Sequence, residues 1–299
     1  MPCTSPLRAY QCSDKSIVFD EVRKHDIVRS LTLPCRQCDS CRMEYARQWA
    51  MRCIHEAQLH QNNCFITLTY DDTHLPSDGS LHYEDFQRFL KRLRKSLKGA
   101  KIRYYMAGEY GENFGRPHWH ACIFGYDFPD KELWKRTSAG SLIYRSEHLE
   151  TLWPFGYSSI GDLNFQSAAY VARYVMKKVN GKFKDLHYED VNFETGEIIQ
   201  LRPEFCKMSL KPGIGYEWYK KYRSDVYPHD YVVVNGKKVK PPKFYDKKYK
   251  DDYPYEYDEL LYTREKSAKL NYLDNTDERL AVKAKVVAAR LKHLKRTLT

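Results

Sequence analysis

Two stretches of strand length on either side of a punctuated turn constrain this chain more than any other feature. Ile102 to Glu109 and His118 to Gly125 are rich in aromatic and apolar residues, and Tyr110-Gly111-Glu112-Asn113-Phe114-Gly115-Arg116-Pro117 between them has the composition of a turn. Strands joined by so short a connection pair antiparallel. A further strand is predicted at Phe65-Ile66-Thr67-Leu68-Thr69-Tyr70, closed by Asp71-Asp72, and a short one at about 157–163. Helices are predicted where apolar residues recur at steps of three and four. These are roughly 42–60 (Met43, Ala46, Ala50, Cys53, Ala57), Leu81 to Leu97 (Phe86, Phe89, Leu90, Leu93, Leu97) and Gln166 to Val179. Together they predict an α+β class, an antiparallel sheet with helices packed on one face.

The flanks differ in character. Residues 1–34 read as irregular or short-strand structure, and 130–155 as irregular. Beyond about residue 216 the chain is dense in Tyr, Lys and Asp. Val232-Val233-Val234-Asn235-Gly236-Lys237 has the pattern of a type I′ hairpin, and Asp277 to Thr299 that of a helix with Leu280, Val287, Leu291, Leu294 and Leu298 on one face. The expected organisation is a cysteine-bearing segment and helix over 1–60, a main domain over 61–215, and a partly helical extension over 216–299.

Residues two apart in a strand share a face, so His118 and His120 present two imidazoles side by side while Trp119, Ala121 and Ile123 pack on the other side. If Glu109 pairs with His118, its carboxylate joins that face, and a slip of one residue turns it away. Two nitrogens and one oxygen suit Mg²⁺ or Mn²⁺ acting on a phosphate. Tyr170 and Tyr174 lie four apart on a predicted helix and so on one face, where phenolic oxygens are candidate nucleophiles. The chain has 25 tyrosines, and the same spacing recurs at Tyr227/Tyr231, Tyr245/Tyr249, Tyr249/Tyr253 and Tyr253/Tyr257, so spacing alone selects nothing. Context favours the first pair, which is flanked by Ala168, Ala169, Val171, Ala172 and Val175, whereas the others sit in Pro- and Asp-rich stretches.

A net charge of +11 and a pI near 9.0 suit a polyanionic partner. Arg116, Arg173, Lys177 and Lys178 are the candidate DNA contacts. No segment reaches the ~18–20 apolar residues of a membrane span, so no membrane partner is expected. Met1-Pro2-Cys3-Thr4-Ser5 lacks the pattern of a secretory signal, and a cytoplasmic location is expected. Of nine cysteines, Cys35, Cys38 and Cys41 form C-x2-C-x2-C, and Cys3 is a candidate fourth thiolate for structural Zn²⁺; the alternative is reduced thiols in a tight turn.

Taken in order, Phe65-Ile66-Thr67-Leu68-Thr69-Tyr70, Gly108-Glu109-Tyr110-Gly111, Gly115-Arg116-Pro117-His118-Trp119-His120 and Tyr170-Val171-Ala172-Arg173-Tyr174-Val175 resemble the motifs of the HUH endonucleases. The resemblance is closest to the two-tyrosine rolling-circle replication initiators of microviruses of the gokushovirus type, and Pro34-Cys35 through Cys41-Arg42 shares it. It covers about 30–180 and runs out in the tail. It implies His118 and His120 as metal ligands with Glu109 as third, and Tyr170 and Tyr174 as nucleophiles forming 5′-phosphotyrosine intermediates on single-stranded DNA at a replication origin. That family often carries Lys between its tyrosines, where this chain has Arg173. A phage protein of this kind would act in the host bacterial cytoplasm with the host helicase and polymerase, since no G-x-x-x-x-G-K-[ST] phosphate loop is present. Two other readings are a non-catalytic zinc-stabilised nucleic-acid-binding protein and a single-strand DNA transposase of the same superfamily.

Overall fold

The computed structural model describes residues 3–20, 26–111, 115–138, 140–173, 184–191 and 196–293. The chain divides into two compact units, Met1–Tyr45 with Tyr253–Lys295, and Ala46–Asp252. In the first, β1 (Leu7–Cys12) lies between β2 (Ile17–Val18) and β3 (Ile27–Leu33) in a small antiparallel sheet. Ala9 and Cys12 are the residues of these strands that are buried. The unit boundary falls within α1 (Asp39–Ala57), whose later residues Ala46, Ala50 and Cys53 are buried at the predicted helical spacing.

The second unit is built on β4 (Asn63–Tyr70), α2 (Tyr83–Ser96), β5 (Arg103–Tyr110) and β6 (Pro117–Phe124). After them come β7 (Glu132–Arg136), β8 (Leu142–Arg145), α3 (Glu147–Leu152), β9 (Gly156–Gly161) and α4 (Phe165–Arg173). Then follow α5 (Lys184–His187), β10 (Glu189–Val191), β11 (Ile198–Gln200) and β12 (Phe205–Met208). Seven strands form one antiparallel sheet in the order β12-β5-β6-β4-β9-β8-β7. The α+β antiparallel class is therefore the observed one, with β6 in the interior of the sheet.

Alternation along the strands feeds two separate cores. Ile66, Leu68, Met106, Trp119, Ala121 and Ile123 meet Phe86, Phe89, Leu90 and Leu93 of α2 and Leu149 and Leu152 of α3. Phe65, Tyr105, Ala107, Cys122 and Phe124 point the other way and meet α1 and Ala168, Tyr170, Val171 and Ala172 of α4. The helical cover is thus shared between the two faces, where the sequence pattern suggested one.

Residues 130–155, expected to be irregular, hold β7, β8 and α3. Every residue of β7 is exposed at the sheet edge, so Leu133 and Trp134 are not spaced as a half-buried strand would space them. Ser146 starts α3 by accepting a hydrogen bond from the Leu149 N–H at 3.0 Å. The unit is completed by α6 (Tyr216–Val226), the hairpin of β13 (Val232–Val234) and β14 (Lys237–Val239), and α7 (Lys243–Asp252). Asn235 and Gly236 both have positive φ, as a type I′ turn requires. The tail continues, in the first unit, as α8 (Pro254–Leu270) and α9 (Asp277–His293).

Candidate active site and metal centre

The register of the β5–β6 hairpin decides whether the expected donors meet. Glu109 stands opposite His118 and Ala107 opposite His120, while on the other side of β6 His120 stands opposite Thr67 of β4. Glu109 is 3% exposed and His120 fully buried. Glu109 Oε1 lies 2.5 Å from His118 Nε2 and 3.2 Å from His120 Nε2. These three donor atoms lie within 4.8 Å of one another.

Each imidazole is oriented through its other nitrogen. His118 Nδ1 is 3.0 Å from the Arg116 carbonyl oxygen, and His120 Nδ1 is 2.9 Å from Thr67 Oγ1. A carbonyl only accepts, so His118 Nδ1 donates to it, and toward Glu109 the Nε2 turns a lone pair when the ring is neutral and an N–H when it is protonated. A lone pair and a carboxylate oxygen at 2.5 Å need a proton between them, and a metal ion bound to both would set them further apart. Two imidazole nitrogens and one carboxylate oxygen form a donor set that fits a divalent ion such as Mn²⁺ or Mg²⁺. Burial alone would raise the Glu109 pKa; hydrogen bonds from both histidines, with their charge, outweigh it and hold the carboxyl at about 2.

Helix α4 brings Tyr170 to the same face. Its ring is 5% exposed and packs edge-on against His120 with centroids 5.1 Å apart, and edge-on against Phe65 at 6.2 Å. Phe65 in turn stacks on His120 at 5.7 Å. The Arg173 guanidinium lies 6.0 Å from the Tyr170 ring centroid. Tyr174, Lys177 and Lys178 lie outside the described residues. The Arg116 guanidinium donates to the Tyr70 carbonyl at 2.9 Å and is paired with Asp72, tying the hairpin turn to the end of β4.

Sequence reasoning missed Thr67 and Phe65 as parts of the site, because both arrive through a strand pairing between segments some fifty residues apart. Their shared parity on β4 was the available signal. It also treated Tyr170/Tyr174 as the one pair in a clean helix, whereas Tyr245 and Tyr249 both lie on α7. Those two are buried: the Tyr245 hydroxyl is 2.9 Å from His55 Nδ1, and Tyr249 stacks on Tyr227 at 4.1 Å. In the other unit, Cys3, Cys35, Cys38 and Cys41 converge, their sulfurs within 4.8 Å of one another.

Comparison with known proteins bears on the unit that carries the histidines. The family model for Replication-associated protein ORF2/G2P matches residues 63–179, a span that takes in β4 through α4. The chain is 35% identical over 263 residues to Replication-associated protein VP4 of Bdellovibrio phage phiMH2K, covering 85% of this chain and 79% of that one. It is 29% identical over 294 residues to Replication-associated protein ORF2 of Spiroplasma virus 4, covering 90% and 87%. Over 235 residues it is 31% identical to Replication-associated protein ORF4 of Chlamydia phage 1, covering 76% of this chain and 56% of the relative. No solved structure matches.

Proposed function

The chain belongs to the family of phage replication-associated proteins, and from that premise we propose that it is a tyrosine-dependent single-strand DNA nickase and ligase of the HUH type that starts and ends rolling-circle replication. The observation that carries this reading is the meeting of Glu109, His118 and His120 on one face of the sheet, with Tyr170 packed against His120.

In this reading Glu109 and the Nε2 atoms of His118 and His120 hold Mg²⁺ or Mn²⁺. When bound, the ion supplies positive charge that polarises a phosphate of the DNA. Thr67 and Arg116 keep the two imidazoles turned inward, the first through its hydroxyl and the second through its backbone carbonyl. The Tyr170 oxygen attacks phosphorus, the bond from phosphorus to the 3′-oxygen breaks, and a 5′-phosphotyrosine and a free 3′-OH result. Arg173 stays protonated at any relevant pH, so it offers charge beside the nucleophile but cannot take its proton; we assign that task to Lys177 or Lys178. After one circuit has regenerated the junction, Tyr174, four residues on by sequence, attacks it in the second transfer, and the 3′-OH released there attacks the Tyr170 phosphotyrosine, frees that tyrosine and closes the circle. The first 3′-OH primes a host polymerase, and a host helicase unwinds the duplex. The net charge of +11 suits the DNA partner.

Purified protein, Mn²⁺ and an origin single strand should yield a denaturant-resistant protein–DNA adduct. A Tyr170→Phe, Tyr174→Phe protein should yield none. An adduct that persists in the double variant sinks the tyrosine assignment, and wild-type protein that binds but never cleaves the strand favours a non-catalytic binding protein.

A further inference from the structure

We propose that Cys3, Cys35, Cys38 and Cys41 bind one zinc ion as a tetrathiolate that closes the N-terminal sheet onto the start of α1. The sulfur spacing carries the inference. Cys3 Sγ is 3.5 Å from Cys35 Sγ and 3.8 Å from Cys38 Sγ, and all four sulfurs lie within 4.8 Å of one another. A tetrahedron with zinc–sulfur bonds of about 2.3 Å has edges of about 3.8 Å. A disulfide requires about 2.05 Å, far below the spacing here. In a multi-iron cluster the cysteine sulfurs are distributed over different irons and lie further apart, so four mutually close thiols suit a single ion.

The local backbone favours thiolates. The Cys35 N–H donates to Cys3 Sγ and the Cys38 N–H to Cys35 Sγ, each at 3.3 Å. Arg36 has φ +61°, a left-handed turn that curls Cys35 back toward Cys38. Cys41 sits in the first turn of α1, where the helix dipole favours negative charge. The ion has a structural task to perform. Cys3 precedes β1, Cys35 and Cys38 follow β3, and Cys41 begins the helix, so one centre joins both outer ends of the β1–β3 pair to α1. Ala9 and Cys12 alone among the residues of the three strands are buried, a core too small to hold them.

The test uses the full-length protein and elemental analysis after purification without added metal. About one zinc per chain is expected in the wild type and in a His118→Ala, His120→Ala variant, and less than about a tenth of that in Cys38→Ser. Retention in the histidine variant separates this centre from the proposed nuclease site. If Cys38→Ser does not fold, cobalt substitution of the wild-type protein decides, since a tetrathiolate gives intense sulfur-to-cobalt charge transfer and tetrahedral ligand-field bands. The proposal is overturned by wild-type protein without zinc, by zinc that stays in Cys38→Ser, by bound iron, by a cobalt spectrum without thiolate bands, or by fewer than nine free thiols in the unfolded, unreduced chain.

Discussion

His118 and His120 differ in what holds them, and the difference is testable. His118 is oriented by a backbone carbonyl, which no substitution removes, and His120 by the Thr67 hydroxyl at 2.9 Å. Thr67→Val keeps the shape and the strand preference but deletes that partner. Loss of such an orienting contact typically weakens metal binding by roughly 10–100-fold. A titration with Mn²⁺ should show a drop of that order, with secondary structure unchanged; equal affinity in the variant would remove Thr67 from the site. The two imidazoles were readable from the strand parity of His118 and His120, whereas the place of Glu109 hung on the hairpin register, which the β5–β6 pairing supplies. Thr67 was not readable, because its place depends on which strand flanks β6 on its other side, and that is settled by the packing of the whole sheet.

At the scale of elements, β6 works as a two-sided wall. Trp119 fills one core from between two histidines that face the other. Gly108 makes room for it: a β-carbon there would fall 2.6 Å from Trp119 Cζ3 and 3.1 Å from Leu81 Cδ2. Gly108→Ala should therefore cost about 1–3 kcal/mol by urea denaturation, with a parallel loss of the proposed strand cleavage as β6 shifts. Unchanged stability would mean that the indole moves aside freely. The strands and helices around this wall were legible because each buries an alternating or three-four pattern, as α2 does with Phe86, Phe89, Leu90 and Leu93. Two of the elements that escaped prediction, β7 and α8, bury little. β7 is exposed throughout, and Leu260 is the buried residue of α8, so neither carries a periodic signal.

On the scale of the molecule, the tyrosine-rich segment 213–252 belongs to the same compact unit as the sheet and packs on α1. His55 stacks on Trp218 at 3.5 Å and meets the Tyr245 hydroxyl, the Glu56 carboxylate accepts from the Gly215 N–H at 2.7 Å, and the Arg52 guanidinium lies between Trp49 and Phe244. Burial lowers the His55 pKa from 6.5 to about 3. The unfolded chain therefore takes up a proton on this group below pH 6.5 that the folded one refuses. Its contribution is whole above that pH and drains away as pH falls toward 3, by about 1.4 kcal/mol per pH unit. Stability measured at pH 7 and pH 5 should fall less in His55→Gln than in the wild type, and equal slopes would exclude His55 as the cause.

These contacts also set a timetable for synthesis. Arg52, His55 and Glu56 leave the ribosome early, yet their partners Ile214, Gly215 and Tyr245 follow 159 to 190 residues later. The sheet strands can pair before then, but these contacts on α1 begin only when about seven-tenths of the chain has emerged and are complete only past about four-fifths. A chain cut short before residue 213 would hold every proposed catalytic group and still lack the aromatic layer that covers the helix behind them.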